Sequence, residues 1–218
     1  MSEMDCAVFQ DAAAELALGT TNSDDSDPTI AAISHFVRGQ LAAEAGNAEL
    51  AATEMEAFGS GYADPIVRFN YPGYDCWIAP AEEAAGHPDR ADAVLKTAGT
   101  YVNCYRFRAD ILDRRGDWAG AQKAYAEAVS LAPDLPAAYY SWGVALLRHD
   151  DQAGAEVKLK DAHTRGPHWA DPLKVWADLL AKQGKTNDAL AKYDEALKYA
   201  PDWKQLKEAR DAVAKQKT

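Results

Sequence analysis

Amphipathic helical stretches separated by short polar breaks fill the second half of this chain, and they recur with a fixed period. Pro133, Pro167 and Pro201 each follow such a stretch and are 34 residues apart. Apolar residues spaced at three and four positions lie on one face of a helix. The pattern therefore predicts an all-helical chain that contains three consecutive copies of one unit.

Three further columns of residues keep the same period. Small residues let two antiparallel helices cross closely, and bulky residues fill the space between neighbouring units. Each unit is therefore predicted to be a helical hairpin. The columns are Ala121, Ala155 and Ala189; Tyr125, Leu159 and Tyr193; and Ala128, Ala162 and Ala196.

Turn residues predict where the two helices of each unit meet. Gly116 is expected to end one helix and Asp117 to cap the next, and Gly184 has the same C-terminal role in the third unit. The middle unit has Asp150 and Asp151 at these places. Each proline comes just after a second helix, which it cannot continue.

These residues resemble the tetratricopeptide-repeat family. The family's late motif positions, Ala at 20, a bulky residue at 24, Ala at 27 and Pro at 32, are matched in all three units. Its position 4, normally Trp, is Tyr105, Tyr139 and Leu173. The resemblance covers residues 102–201 and implies an all-α, right-handed superhelical solenoid of antiparallel hairpins, with residues 202 to 216 as a C-terminal capping helix.

Upstream the pattern weakens. Two segments, 35–58 and 76–98, keep some of the motif offsets, including Gly46 and Gly86 at the inter-helix turn, and Pro88 is placed to open a helix. We expect residues 1–100 to be an N-terminal helical region with one or two degenerate hairpins. Residues 101–218 hold the three repeats and the cap, and both parts are expected to form one continuous solenoid.

The remaining N-terminal segments have simpler predictions. Met4 to Leu18 is predicted to be a helix, and Asp27 to cap another helix that begins at Pro28. Residues 59–75 are predicted to be a long break whose aromatic side chains pack against the helices.

Charge is unevenly distributed. The net charge is −11; residues 1–100 carry 17 acids and 4 bases, and residues 101–218 carry 17 acids and 19 bases. An acidic chain repels phosphate backbones and anionic lipid, so neither nucleic acid nor a membrane surface is expected as a partner.

Cys6, Cys76 and Cys104 are odd in number and widely spaced, so free thiols are expected. No apolar run approaches the roughly 20 residues that cross a bilayer, and Met1 to Gly19 lacks a basic region. A cytoplasmic location in a bacterium is favoured. If a signal peptide has been removed, a periplasmic location is expected instead.

No residue pattern predicts catalysis. The five histidines form no HExxH or HxxxH pair, and phosphate-binding and nucleophile-elbow motifs are missing. No catalytic residue, metal or cofactor is therefore predicted.

The resemblance implies a partner-binding groove along the concave face, formed by the first helix of each unit. Its predicted middle is apolar and its ends are charged, which suits an amphipathic helix or an extended peptide with aliphatic anchors. Tyr140, Val144 and Leu147 could instead pack on this chain or on a second copy of it. The implied positions are Asn103, Arg106, Asp110, Asp113, Arg114, Ala137, Tyr140, Val144, Leu147, Arg148, Asp171, Lys174, Asp178, Ala181 and Lys182.

One ligand of the family is disfavoured. A subgroup binds the C-terminal carboxylate of chaperones through Lys, Arg and Asn at five positions, which here are Arg106, Asp110, Ser141, Asp171 and Val175. The two aspartates would repel a carboxylate.

The tryptophans are interpreted by their motif positions. Trp118, Trp142 and Trp176 are expected in the hairpin cores, whereas Trp169 and Trp203 could either fasten helices together or face the groove.

Three functions remain open. The preferred one is a non-enzymatic scaffold that binds a protein segment or peptide in the groove. The alternative is the sensing or dimerising arm of a larger bacterial signalling protein, in which case a homodimer is expected. The third, an enzyme that uses the aromatic segment 59–75, has no supporting motif.

Overall fold

The computed structural model describes residues 28–62, 74–97 and 101–215. Within them it contains eleven α-helices and no strand. The predicted helix at Met4 to Leu18 and the predicted cap at Asp27 lie outside the described residues. The helices are α1 (Pro28–Glu44), α2 (Ala48–Tyr62), α3 (Ile78–Ala84), α4 (Pro88–Thr97), α5 (Val102–Arg114), α6 (Trp118–Leu131), α7 (Pro136–Arg148), α8 (Gln152–Arg165), α9 (Ala170–Lys182), α10 (Thr186–Tyr199) and α11 (Lys204–Lys215).

The chain divides into two compact units, residues 1–111 and 112–218. The two are called unit 1 and unit 2. The predicted change of regularity near residue 100, and the single continuous solenoid, stay predictions. The all-helical hairpin fold is confirmed, because consecutive helices pack in pairs within each unit.

Left-handed turns join the two helices of each hairpin that the structure describes. Positive φ angles occur at Gly46 (76°), Gly86 (82°), Gly116 (86°), Asp150 (58°) and Gly184 (73°). These five residues hold the same position in successive hairpins. The two upstream segments therefore make the same left-handed turn as the regular repeats.

The repeated columns form the core of unit 2. The six alanines of the two small columns are fully buried, and so are Tyr125, Leu159 and Tyr193 between them. The Asp117 and Asp151 carboxylates cap α6 and α8 by accepting hydrogen bonds of 2.9 Å from the backbone N–H groups of Gly120 and Gly154. Both predicted caps are confirmed.

The last helix closes unit 2 as expected of a cap. Leu206 and Val213 of α11 are buried in the cluster that includes Leu173 and Tyr193, and Trp203 packs against it from the preceding turn. Trp203 therefore fastens helices together.

Unit 1 is built on aromatic contacts. The ring of Phe36 lies 5.3 Å from that of Phe58 and 5.4 Å from that of Trp77, in edge arrangements. Trp77 in turn lies 4.8 Å from Phe107. It packs against both hydrophobic clusters of the unit and so links α1 and α2 to α5.

The predicted break at residues 59–75 is wrong at both ends. α2 continues through Gly59 and Gly61 to Tyr62, and a 3₁₀ turn spans Tyr74–Trp77. A Cβ at Gly59 would lie 2.7 Å from Ile78 Cδ1, and one at Gly61 would lie 3.1 Å from the Cβ of Ala32. These glycines therefore permit close packing of a helix and do not end it. Residues 63–73 lie outside the described part.

The prediction of free thiols is also wrong for two of the three cysteines. Cys76 and Cys104 form a disulfide, with their Cα atoms 5.1 Å apart. Widely spaced cysteines carry no local pairing signal, because only the tertiary fold brings them together. Cys6 lies outside the described residues.

The left-handed turn predicts opposite effects of two substitutions. Gly116→Ala should destabilise the protein by roughly 1 kcal/mol, because a Cβ is disfavoured at positive φ. Asp150→Gly should stabilise it by roughly 0.5 kcal/mol, because the relief of that penalty outweighs the added unfolded-state entropy. Urea denaturation followed by circular dichroism measures both. Changes of the same sign in the two variants would contradict the shared turn.

Candidate functional site

Among the predicted groove residues of unit 2, Tyr140, Val144 and Leu147 lie on α7, and Lys174 and Asp178 lie on α9, the first helices of the second and third repeats. Tyr140, Val144 and Leu147 are all partly buried. Leu147 packs against a cluster of Leu146, Ala155 and Leu179. It therefore contributes to the core of unit 2 as well as to its surface.

Tyr140 lies in a cluster of aromatic and charged side chains. Its ring centroid is 4.8 Å from that of Trp169, the residue just before α9. The Trp169 side chain hydrogen-bonds to the carboxylate of Asp171. From the sequence, Trp169 could either fasten helices together or face the groove. In the structure it contacts the predicted site. The name "Tyr140 cluster" is used for Tyr140, Trp169, Asp171, Lys174, Asp178 and Tyr193.

Charged groups on α9 complete the Tyr140 cluster. Lys174 Nζ lies 2.8 Å from Asp178 Oδ2, and the Tyr193 hydroxyl donates a 2.5 Å hydrogen bond to Asp178 Oδ1. Lys174 therefore pairs with Asp178, and its charge also acts on Asp171. Together these three charged groups leave the cluster with an excess of negative charge.

The local electrostatics follow from burial and from these carboxylates. Burial, and then the charges of Asp171 and Asp178, raise the pKa of Tyr140 to about 12. Burial also raises the pKa of Asp171, although Trp169 and Lys174 oppose the shift. The cluster therefore disfavours additional negative charge.

Arg148, another predicted groove residue, lies in a different cluster. Its Nε and Nη2 atoms donate to Asp113 Oδ2 over 2.9 and 2.5 Å, and His149 Nε2 lies 2.5 Å from Asp113 Oδ1. The His149 ring stacks on Trp118 with centroids 3.9 Å apart. Asp113 is buried, so this cluster anchors the end of α7 to the end of α5. Partner contact by Arg148 stays a prediction.

The pKa of Asp113 is low for a buried carboxylate. Burial alone would raise the pKa, but the hydrogen bonds and charges of His149 and Arg148 hold it below its ordinary value. Sequence reasoning placed Asp113 only at a groove position. Its structural role arises from a pairing across 35 residues.

Three further predicted groove residues belong to unit 1. Asn103, Arg106 and Asp110 are partly buried on α5. The Arg106 guanidinium carbon lies 4.0 Å from the centroid of the Phe107 ring and 5.3 Å from that of Trp77. Partner contact by these three residues stays a prediction.

Sequence reasoning missed a repeated cation–π pair. Lys158 Nζ lies 4.0 Å from the ring centroid of Trp142, and Lys192 Nζ lies 4.6 Å from that of Trp176. Lys158 and Lys192 are themselves 34 residues apart, as the two tryptophans are. The spacing could have revealed the pairs, which hold the rings of Trp142 and Trp176 in place.

Unit 1 also has a buried carboxylate. Glu82 on α3 is buried, and its Oε2 lies 2.9 Å from His87 Nδ1 across the α3–α4 turn. Burial raises its pKa, and His87 opposes the shift. Arg90 lies 3.9 Å from Glu82 and 2.6 Å from Glu56. The contact with His87 joins two helix ends.

Among the described residues, no three His, Cys, Asp or Glu side chains are placed to hold a metal ion. Within those same ranges, no helix has the length and apolar character needed to cross a membrane.

Neither a protein-family model nor a curated protein matches the sequence. Solved structures do match. A thermophilic tetratricopeptide-repeat protein of Thermus thermophilus, TTC0263, is 20% identical with a TM-score of 0.65, over 84% of this chain and 99% of that one. This chain has the tetratricopeptide-repeat fold.

Two other solved structures agree on the fold. Yeast Tom70 is 18% identical with a TM-score of 0.62, over 91% of this chain and 42% of that one. YrrB, described as a tetratricopeptide-repeat protein with an unusual peptide-binding site, is 15% identical with a TM-score of 0.51, over 93% of this chain and 97% of that one. The predicted resemblance is thus confirmed for the fold.

The Asp113 contacts predict a strong and pH-dependent effect on stability. Asp113→Asn should cost roughly 2 kcal/mol at pH 7, because it weakens a charge-assisted pairing at a buried position. The pKa of Asp113 is lower in the folded protein than in the unfolded chain. The stability that Asp113 contributes is therefore complete above its unfolded-state pKa of about 4, and it is lost as the pH falls through its lower folded-state pKa. Urea denaturation of both proteins between about pH 2.5 and 7 measures this.

Asp211→Asn is the matched control, since Asp211 is exposed and pairs with Arg210 at the surface. It should leave stability unchanged at every pH. If both aspartate variants behave alike, the Asp113 cluster is not an anchor.

Proposed function

We propose that the chain is a non-enzymatic interaction scaffold that binds a peptide segment of a protein partner across α7 and α9 of unit 2. The observation that carries the proposal is the Tyr140 cluster next to Val144. An aromatic ring, an aliphatic side chain and fixed charges lie together on the first helices of two successive repeats. Such a surface offers an anchor for an apolar side chain and polar groups that orient it.

The charges indicate the chemistry of the segment. Because the charges of Asp171 and Asp178 both act on Tyr140 and Lys174 pairs with only one of them, a carboxylate approaching Tyr140 would meet repulsion, whereas a basic side chain would be attracted. The proposed ligand therefore has an aliphatic or aromatic anchor beside a Lys or Arg. This also argues against an acidic chain terminus as the ligand of this face.

The fold supports an interaction role in general. The peptide-binding site named for YrrB is a feature of that protein. At 15% identity, its residues cannot be assigned to positions in this chain. No observation favours the alternative, an arm of a larger signalling protein, over the scaffold. Nucleic acid and membrane surfaces stay disfavoured on charge alone.

A pair of valine variants tests the face. Val144 is on α7, whereas Val157 is an exposed valine on α8, the second helix of the same repeat. Peptides selected from a displayed random library against the full chain serve as the probe. Val144→Arg should weaken their binding at least about tenfold, through lost apolar contact and repulsion of the basic residue. Val157→Arg should change it less than about twofold, as measured by isothermal titration calorimetry.

The thermal unfolding of both variants is the control for folding. Equal binding by Val144→Arg and Val157→Arg, or selected peptides without basic residues, would contradict the proposal. Light scattering gives a second check. A dimer that dissociates in the Val144→Arg variant would also contradict the proposal, because the face would then bind a second copy of the chain.

A further inference from the structure

The Cys76–Cys104 disulfide encloses the shortest hairpin among the described residues. Cys76 precedes α3 and Cys104 is in the first turn of α5, so α3 and α4 lie between them. These helices have 7 and 10 residues, whereas the helices of the second and third repeats have 13 or 14. Short helices bury little surface and are marginal by themselves. The cross-link therefore encloses the two shortest helices among the described residues.

Both cysteines are closed off from solvent. Each has 0% exposure, and they share a cluster with Leu95, Phe107 and Ile111. Thiol–disulfide exchange needs access of the attacking sulfur to the cysteine. In folded unit 1 neither an oxidant nor a reductant can reach this pair, so the bond must form before α3, α4 and α5 have packed.

The cysteines are confined to one half of the chain. All three precede residue 112, and residues 112–218 contain none. Oxidation of cysteine can therefore act directly on unit 1 only.

We propose that Cys76–Cys104 is a structural disulfide, made in an oxidising compartment during folding, and that unit 1 depends on it while unit 2 folds without it. Stable structural disulfides are typical of such compartments. This assigns the chain to the second of the two locations considered from its sequence, the periplasm or an equivalent oxidising space.

The oxidant is the disulfide of a thiol–disulfide oxidoreductase. The thiolate of one cysteine attacks that disulfide, which forms a mixed disulfide and releases one partner thiol. The thiolate of the other cysteine then attacks the mixed disulfide, which forms the Cys76–Cys104 bond and releases the second partner thiol. Two electrons pass to the oxidoreductase, and the two cysteine protons end on its thiols.

Hydrogen exchange of the full chain tests the dependence. Cys6→Ser removes the third thiol, and this protein is refolded with a glutathione redox couple or under excess reductant, with no other change. The disulfide closes a loop across a sequence separation of 28 residues. Such a cross-link lowers the equilibrium constant for the unfolding of unit 1 by about a few hundredfold. Amides of residues 28–62, 74–97 and 101–111 should therefore exchange faster by that factor in the reduced chain.

Amides of residues 118–215 are the internal control and should change less than about twofold. Equal protection of unit 1 in both redox states would overturn the proposal, and so would loss of protection in both units. Cys76→Ala with Cys104→Ala, measured in the same way, should reproduce the reduced chain.

Differential alkylation tests the compartment. The chain is taken from the cells that make it, quenched in acid, denatured and alkylated before and after reduction. Cys76 and Cys104 should react only after reduction. Recovery of both as free thiols in the first step would overturn the assignment.

Discussion

Close crossing of the two helices in each hairpin is the constraint on which the rest of the structure depends. In unit 2 the crossing is made by alanines that are fully buried, such as Ala155 and Ala162 in the middle repeat. Neither helix can bury its apolar face alone, so each needs its partner and then the next hairpin. The left-handed turn residue lets the chain reverse within a few residues, and this sets the spacing between paired helices. The positions of α7 and α9, and hence of the Tyr140 cluster, follow from this geometry.

The regular features of the fold could be predicted because they are local or periodic. Pro88 opens α4, Asp117 and Asp151 cap their helices, and the alanine columns are buried, all as expected. Gly59 and Gly61 were misinterpreted because a glycine can either end a helix or allow another helix to pack closely against it. Only the tertiary contacts with Ile78 and Ala32 show that close packing is the reason here. The disulfide was missed because its cysteines are 28 residues apart and have no motif.

The candidate site was predictable in part. The resemblance placed Tyr140, Lys174 and Asp178 on first helices, and the structure brings them together with Trp169 and Tyr193. The resemblance could not show that Arg148 would pair with Asp113, because the two residues are 35 positions apart in the sequence. Predicted groove residues thus have different roles. Arg148 pairs with a buried carboxylate, whereas Asp178 is close enough to the half-buried Tyr140 to help raise its pKa.

The central claim is that the α7–α9 face of unit 2 contacts the partner peptide. Methyl NMR of the full chain with and without a selected peptide tests it most directly, since Val144 and Leu147 lie on α7 and Val157 lies on α8. We expect the methyl signals of Val144 and Leu147 to shift on titration while those of Val157 and Leu131 stay in place. Shifts confined to Val157 and Leu131 would contradict it.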